Sequence, residues 1–307
     1  MHFGSVSDEH RLALLRPPTK RVRMVLDTDT YNEIDDQFAL VYALLSPDKL
    51  DVQAVYAAPF HNARSSGPAD GMKKSYEEIL RLLELCGRPA QDFAFEGCTA
   101  YLSSDNDPER SPAVLDLVER ALTASADDPL YVVAVGAITN VASAILVEPR
   151  ILDRIVVVWL GGHALQWPHT KEFNLQQDVL AARTILDSGV PFVHVPCMGV
   201  TTHLATTVPE IELYVEGQGP IGDYLAKIFK EYLGDHFGRS KVLWDVAAVA
   251  YLINSDWLPN TLMHCPRLTD QLTWSYDHTR HWMRYVYYVQ RDPIFRDLFN
   301  KLKNAAS

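Results

Sequence analysis

Residues 23–36 read RMVLDTDTYNEIDD, and this stretch decides the fold. An apolar strand runs directly into acidic residues, and a helix then begins at a pair of acids, Asp35 and Asp36. In open α/β sheets, ligands bind at the carboxyl ends of the strands. The stretch therefore predicts a sheet with a ligand site at the end of its first strand.

The rest of the chain alternates short β-rich segments with longer helical patterns. The predicted strands are Val22–Leu26, Val52–Ala57, Leu130–Val135, Ile155–Leu160 and Phe192–Val195. The predicted helices are Asp36–Leu45, Lys73–Leu85, Ala113–Ala124, Asn140–Val147, Val179–Asp187 and Val246–Leu252. This alternation is typical of βαβ units, and strands that are apolar throughout are expected where helices cover both faces. We therefore predict an α/β fold with a mainly parallel open sheet flanked by helices.

One domain, residues 1–307, is the simplest organisation for this pattern. Residues 1–20 are expected to form an N-terminal extension, and the polar segment Ser103–Pro112 a surface loop. Residues 201–240 are rich in glycine and acids, which suggests a lid or an insertion near the ligand site. The aromatic C-terminal part is expected to supply strands that finish the core or build an interface.

Bulk composition excludes several classes of function. The chain is 48% hydrophobic and 22% charged, which is ordinary for a globular protein. Its formal net charge of -11 disfavours a nucleic-acid partner, because a phosphate backbone would be repelled. The four cysteines are scattered, without CxxC spacing, as expected for buried thiols in a reducing compartment. With no apolar stretch near the ~20 residues that span a bilayer, we expect a cytoplasmic protein without membrane contact.

The acids of residues 27–36 indicate a cation site. Four aspartates and one glutamate within this stretch would repel each other unless a positive charge lay among them. A hard divalent cation with oxygen ligands satisfies that requirement. Adjacent helical residues point ~100° apart, so one acid of the Asp35–Asp36 pair can hold the metal while the other acts as a general base. The alternative is that Asp35 caps the helix and the other acids are solvated.

Four motifs in order carry a resemblance to a known family. The first is a strand followed by DxD, a turn and the Asp35–Asp36 pair, with five residues in the turn where the family usually has three. The others are VGAITN at residues 135–140, EFN at residues 172–174 followed by Asp178, and Trp244–Asp245 at a helix start. In these features, the chain resembles the inosine-uridine nucleoside hydrolase family over residues 22 to 253.

The resemblance implies a nucleoside hydrolase (Rossmann-like) fold and a role for each matching residue. Calcium (Ca2+) would be bound by the side chains of Asp29, Asp36 and Asp245 and by the backbone carbonyl of Thr139. Asp35 would be the general base that activates a calcium-bound water to cleave the N-glycosidic bond of a ribonucleoside, releasing ribose and free base. The ribose would contact Glu172 and Asn174. Family members are commonly dimers or tetramers, so a homo-oligomer is expected.

Two histidines and an asparagine are further candidates for substrate contacts. Asn62 stands roughly where the family has an asparagine near the sugar. His61, beside it, and His163 both follow predicted strands and could face the pocket. For any single histidine, however, a surface or structural role is the more common one.

Trp244 has two interpretations. Some family members carry a leaving-group histidine at this position, directly before the last aspartate ligand. Here, a tryptophan could stack on a flat nucleobase, as in the purine-preferring branch of the family, and this leads us to favour purines. Alternatively, Trp244 packs in the core at a helix start.

Two rival functions remain open at this stage. Residues 24–30, MVLDTDT, also fit the strand-plus-DxDxT signature of haloacid-dehalogenase-type phosphohydrolases, in which Asp27 would be the nucleophile, Asp29 the acid and magnesium the metal. That family does not account for Asp35–Asp36 or for the EFN segment. The second rival is a calcium-dependent nucleoside binder without catalysis.

Overall fold

The computed structural model describes residues 6–104 and 107–305. Its strands are β1 (Val22–Thr28), β2 (Leu50–Ala57), β3 (Ala94–Phe95), β4 (Leu130–Ala134), β5 (Ile155–Leu160), β6 (Phe192–Val195), β7 (Ala205–Thr206), β8 (Lys241–Val242), β9 (Asn260–His264), β10 (Arg267–Leu268), β11 (Trp274–Ser275) and β12 (Trp282–Val286). Its α-helices are α1 (Asp8–Leu14), α2 (Asp35–Leu44), α3 (Pro68–Leu85), α4 (Pro112–Leu122), α5 (Thr139–Val147), α6 (Phe173–Gln177), α7 (Val179–Ser188), α8 (Val208–Tyr214), α9 (Gly219–Leu233), α10 (Val246–Ile253) and α11 (Arg291–Ala305).

Eight strands form one sheet in the order β3-β2-β1-β4-β5-β6-β12-β9. All neighbouring pairs are parallel except β12 with β9. The strands at the centre are buried along nearly their whole length, which explains their continuous apolar sequences. Because parallel strands all end at the same edge, the polar residues that follow β1, β4, β5 and β6 meet there.

Helices cover both faces of the sheet and enclose two hydrophobic cores. One core contains Phe38 of α2, Tyr251 of α10 and Phe229 of α9, together with residues of α3 and α11. The other contains Leu117 of α4, Ile145 of α5 and residues of α7. This arrangement confirms the predicted α/β fold with a mainly parallel sheet. No helix in the described ranges is both long and apolar enough to cross a membrane.

The element bounds agree closely with those predicted for β5 and β6 and differ elsewhere for local reasons. Helix α3 begins at Pro68, five residues before its predicted start at Lys73, since proline is favoured in the first helical turn. In the C-terminal part, β12 inserts between β6 and β9, so Tyr285 completes the core as expected. Residues 103–104 and 107–111 of the predicted loop have no regular structure, and residues 105–106 lie outside the described ranges.

The two segments set apart in the sequence both pack on the main body. Within residues 201–240, a 3-10 turn (Thr201–His203) and β7 precede α8 and α9, and Ile211, Leu225 and Phe229 are buried in the first core. In the N-terminal extension, Leu14 and Leu15 are buried, and Arg11 Nε donates to the Gly189 carbonyl at 3.1 Å. Residues 1–5 lie outside the described ranges.

Candidate active site

The acids that follow β1 are buried together at the carboxyl edge of the sheet. Asp35 and Asp36 open α2, and Asp245 precedes α10; each offers an oxygen within 4.8 Å of the others. All three are at most 3% exposed. The residue at the cap position of α2 is Ile34, and Asp245 makes no capping hydrogen bond. The interpretation of these acids as a helix cap and solvated loop residues is therefore wrong.

Asp29 completes the cluster from behind. It is fully buried, and neither of its carboxylate oxygens has a hydrogen-bond partner in the described part of the chain. Gly136, in the VGAITN turn, packs so closely that a Cβ there would lie 3.1 Å from the Asp29 carboxyl carbon. Buried polar atoms are normally paired, so two unpaired oxygens beside other acids are the donor set that a hard cation fits.

Electrostatics also favour a cation at this cluster. Burial, together with the charge of Asp35, raises the pKa of Asp36 to about 7. Burial and the neighbouring carboxylates also raise the pKa of Asp29 and of Asp245. These acids resist losing their protons when no positive charge lies among them, and a bound cation would remove that resistance.

The cluster opens into a cavity of about 490 Å³. Its lining combines acids, amides, aromatic rings and a few apolar side chains: Asn32, Glu33, Asp35, Asp36, Asn62, Val135, Leu160, His163, Lys171, Glu172, Phe173, Asn174, Cys197, Met198, Trp244 and Asp245. This volume lies within the range of small-molecule sites. The cavity therefore suits a compact polar ligand that carries a flat group.

Glu172 and Asn174 are rigidly oriented beside the acids. The Glu172 carboxylate accepts backbone N–H groups from Gly162 (2.8 Å), Asn174 (2.8 Å) and Leu175 (3.0 Å). The Asn174 amide nitrogen donates to the carbonyls of Val135 (2.9 Å) and Leu160 (3.1 Å). Its oxygen is therefore the amide atom left to accept a hydrogen bond from a ligand hydroxyl.

The other predicted site residues are divided between the cavity and its surroundings. Trp244 is half-buried: its ring lines the cavity and also packs on the first core, so the stacking and the core interpretation each describe part of its position. Asn62 lines the cavity and donates to Asn32 Oδ1 at 2.6 Å. His61 is exposed outside it, and its backbone N–H donates to Gln177. The Thr139 hydroxyl donates to Asp178 at 2.8 Å, behind the cavity lining.

Asp27 also lies behind the cavity. It is fully buried and accepts a hydrogen bond from the Asn140 amide at 2.7 Å. Burial raises its pKa to about 7. A nucleophile must reach its substrate, and Asp27 is not among the residues that line the cavity, which disfavours the phosphohydrolase interpretation.

The structure adds residues that sequence reasoning did not single out. Lys241 Nζ lies 3.4 Å from Asp35 Oδ1 and forms a closer ion pair with Glu33. Lys171, Cys197 and Met198 line the cavity. No motif marks Lys241, because its contact with Asp35 spans 206 positions of the chain.

His163 lines the cavity, as its position after β5 suggested. Its ring is oriented by the Met198 N–H, which donates to Nδ1 at 3.4 Å. Its backbone is held by two further hydrogen bonds: the backbone N–H donates to Thr170 Oγ1 at 2.9 Å, and the backbone carbonyl accepts from Trp274 Nε1 at 3.0 Å. Burial lowers its pKa. Because Nδ1 accepts the Met198 N–H, the neutral form of the ring carries its proton on Nε2 and can donate a hydrogen bond from that atom.

The fold and the site together define an α/β protein with a cavity that contains a buried acidic cluster at the carboxyl ends of parallel strands. Residues 24–289 match the sequence profile of the inosine-uridine preferring nucleoside hydrolases, and the chain belongs to that family. It is accordingly a hydrolase that acts on N-glycosyl bonds.

Two curated relatives and one solved structure illustrate the similarity. The pyrimidine-specific ribonucleoside hydrolase RihA of Klebsiella pneumoniae (strain 342) is 28% identical over 240 residues, covering 69% of this chain and 72% of that protein. The non-specific ribonucleoside hydrolase RihC of Salmonella schwarzengrund (strain CVM19633) is 25% identical over 261 residues, covering 80% and 82%. The purine-preferring ribonucleoside hydrolase of Gardnerella vaginalis has the same fold, with a TM-score of 0.74 at 20% identity over 92% of this chain and 99% of that one.

Proposed function

We propose that the protein hydrolyses the N-glycosidic bond of ribonucleosides to give ribose and free base. The observation that carries this proposal is the joining of two sets of residues in one cavity. The carboxylates of Asp35, Asp36 and Asp245 lie on one side, and the oriented Glu172 and Asn174 side chains lie beside them. The first set suits a cation and a base, and the second suits the hydroxyl groups of a sugar.

We propose calcium as the cation, bound by Asp29, Asp36 and Asp245 through their carboxylates and by Thr139 through its carbonyl. An all-oxygen donor set is the one that calcium prefers, and the two unpaired oxygens of Asp29 support this assignment. The close packing of Gly136 on Asp29 brings the turn that leads to Thr139 against the cluster. When bound, calcium would supply a Lewis acid that orients sugar hydroxyls and lowers the pKa of a water molecule.

Asp35 is the proposed general base. It opens α2 next to the proposed ligand Asp36 and lines the cavity, so it can accept a proton from the attacking water. The water oxygen forms a bond to C1′ of the ribose, and the bond from C1′ to the base nitrogen breaks with its electron pair leaving on the base. Asp35 then passes the proton to solvent, and the departing base nitrogen takes up a proton from solvent to give the neutral free base.

Glu172 and Asn174 are proposed to bind the ribose, with Asn62 at the edge of the same subsite. The three N–H groups on Glu172 and the two carbonyls on Asn174 fix both side chains before substrate arrives. Such preorganisation positions the sugar for attack without an entropy cost at the time of reaction. The exposed position of His61 gives no support to a direct contact with the substrate.

Purine ribonucleosides are the proposed preferred substrates, because Trp244 offers a flat aromatic surface in the cavity. Base–aromatic stacking contributes about 1–3 kcal/mol per base and grows with the size of the rings that overlap. The Nε2–H group of the neutral His163 ring is a further donor that an acceptor on the substrate could use. We also predict that the protein assembles as a homo-oligomer, either a dimer or a tetramer.

The test is release of free ribose from a panel of purine and pyrimidine ribonucleosides, with calcium and with a chelator, alongside the Asp35→Asn variant. We expect calcium-dependent release that is highest for purines and at least about 10²-fold lower in Asp35→Asn, with little release from 2′-deoxynucleosides. No release from any ribonucleoside would contradict the proposal, and phosphate release from phosphate esters would favour the phosphohydrolase instead.

A further inference from the structure

We propose that the loop between β5 and α6, residues 161–172, binds a phosphate group on the 5′ oxygen of the substrate, so that the protein prefers ribonucleoside 5′-phosphates to unmodified ribonucleosides. The side chains that bind the phosphate are those of Lys171 and His163. The inference rests on the proposed function, because it takes Glu172 and Asn174 as the residues that hold the ribose.

Lys171 is set apart from the rest of the cavity lining by its charge. Five acids line the cavity: Glu33, Asp35, Asp36, Glu172 and Asp245. Of the described residues that line it, only Lys171 is a lysine or an arginine. Its side chain forms no ion pair or hydrogen bond with any residue of 6–104 and 107–305. A cation at an acidic cavity that pairs with none of the acids is available to an anionic ligand.

His163 supplies a second donor on the same wall of the cavity. It is 8% exposed, and its Nδ1 accepts the Met198 N–H at 3.4 Å. The Nε2 atom, which carries the proton in the neutral ring, has no partner within the described ranges. The centre of the His169 ring lies 5.7 Å from that of His163. Three basic side chains are thus gathered on the loop that leads to Glu172.

Hydrogen bonds across the loop bring Lys171 and His163 together. The His163 N–H donates to Thr170 Oγ1 at 2.9 Å, and Thr170 directly precedes Lys171. The Lys171 N–H donates to His169 Nδ1 at 3.3 Å, and the Thr170 N–H donates to the Leu272 carbonyl at 2.7 Å. The backbone of this wall is therefore fixed before a ligand arrives, whereas the exposed Lys171 side chain can adjust to it.

The position of the loop decides which part of the substrate reaches it. Lys171 directly precedes Glu172, which we assign to the ribose, whereas Trp244, which we assign to the base, lies before α10. C1′ carries the base, and the adjacent 2′ and 3′ hydroxyls are the pair that one cation can hold. The 5′ oxygen is therefore the sugar oxygen left to carry a substituent toward Lys171.

A phosphate is the substituent that these donors suit. A phosphate monoester carries about two negative charges near neutral pH and several acceptor oxygens. Lysine binds phosphate as a point charge on a flexible stem, and an imidazole N–H adds a directed hydrogen bond. Because the other charged groups of the lining are acids, an anionic ligand needs a cation of its own here, and Lys171 provides it.

The bond that is cleaved stays the same. The water oxygen forms a bond to C1′, and the bond from C1′ to the base nitrogen breaks with its electron pair leaving on the base. The water loses its proton to solvent by way of the general base, and the departing base takes up a proton from solvent. The phosphate ester is not attacked, so the products are ribose 5-phosphate and the free base.

The experiment compares kcat/KM for release of adenine from adenosine 5′-monophosphate and from adenosine, with calcium present. We expect the wild-type protein to favour the monophosphate by at least about tenfold, and Lys171→Met to lower the ratio of the two values by about tenfold. Lys171→Arg should keep most of the preference, because it keeps the charge. The preference should also weaken as the ionic strength rises, since the charges are exposed to solvent.

The matched control is Lys227→Met, which removes a lysine of α9 whose side chain is 66% exposed and should leave the ratio unchanged. Equal kcat/KM for the two substrates in the wild-type protein overturns the proposal. So does a ratio in Lys171→Met within about twofold of the wild-type ratio. Release of inorganic phosphate in place of adenine would also overturn it.

The proposed function can fail separately from this inference. If neither substrate releases adenine, the proposed function fails, and binding of adenosine 5′-monophosphate by titration calorimetry then tests the phosphate site. About tenfold weaker binding to Lys171→Met than to the wild-type protein would support the site, and equal affinity would overturn it.

Discussion

Replacing Thr28 with valine removes one hydroxyl from beneath the candidate cation site and preserves the shape of the side chain. The Thr28 Oγ1 donates to Asp36 Oδ1 at 2.5 Å, and the two residues are 0% and 1% exposed, so no bulk water replaces the lost donor. Burial already raises the pKa of Asp36 to about 7, and this hydrogen bond opposes that rise. Without it, the ionised form that binds a cation is less stable.

The size of the effect follows from that single bond. A hydrogen bond to a charged group contributes about 1.5–3 kcal/mol. Since about 1.4 kcal/mol corresponds to a factor of ten, calcium binding to Thr28→Val should be about 10- to 100-fold weaker near neutral pH. Titration calorimetry with calcium measures this directly in the variant and in the wild-type protein.

The matched control is Thr28→Ser, which keeps the hydroxyl and should bind calcium nearly as well as the wild-type protein. Substitutions at sites without a special role usually change a free energy by no more than about 0.5 kcal/mol, which is about twofold in affinity. If Thr28→Val bound calcium within that factor of the wild-type protein, Asp36 would not be a ligand supported by Thr28. Equal weakening in both variants would also refute the reasoning, because packing rather than the hydroxyl would then be responsible.

Two further predictions concern pH and the nucleobase. Burial raises the pKa of Asp27 and Asp36 from 3.8 to about 7, so the stability these groups contribute is full below pH 3.8 and is lost as the pH rises through about 7. In chelator, the melting temperature should be lower at about pH 8 than at about pH 5, with calcium restoring it at the higher pH; equal values would refute this. Trp244→Ala should lower kcat/KM for purine ribonucleosides about tenfold more than for pyrimidines, and an unchanged ratio would remove the basis for a purine preference.

The centre of the sheet and the acids at its edge could be predicted from the sequence because both have local signatures. Strands buried on two faces are apolar throughout, so β4, β5 and β6 stand out without knowledge of their neighbours. β1 extends two residues beyond its predicted end at Leu26, since Asp27 and Thr28 still pair with Tyr56 and Ala57 of β2. Polarity suggested an end to the strand where backbone pairing continues.

Contacts between distant segments could not be predicted in this way. The insertion of β12 between β6 and β9 depends on how the C-terminal part folds back, which no periodicity encodes. The Lys241–Asp35 contact joins positions 206 residues apart. β7 and β8, which position Lys241, are two residues long each and leave no strand signature.

Neighbouring residues also proved hard to separate by sequence. His61 and Asn62 follow β2 together, yet Asn62 lines the cavity while His61 is exposed. In an irregular segment, the direction of each side chain depends on its hydrogen bonds, here from the His61 backbone to Gln177 and from the Asn62 amide to Asn32. Position after a strand indicates the region of the site but not which side chain enters it.

The most direct test of the central claim is ribose release from purine ribonucleosides by the wild-type protein and by Asp35→Asn, each with calcium and with a chelator. The account predicts release by the wild-type protein with calcium only, and a loss of at least about 10²-fold in Asp35→Asn, the lower end of what a general base contributes. Calcium binding by Asp35→Asn should persist, since Asp29, Asp36 and Asp245 remain. Release that continues in the chelator, or in Asp35→Asn at the wild-type rate, would contradict the account.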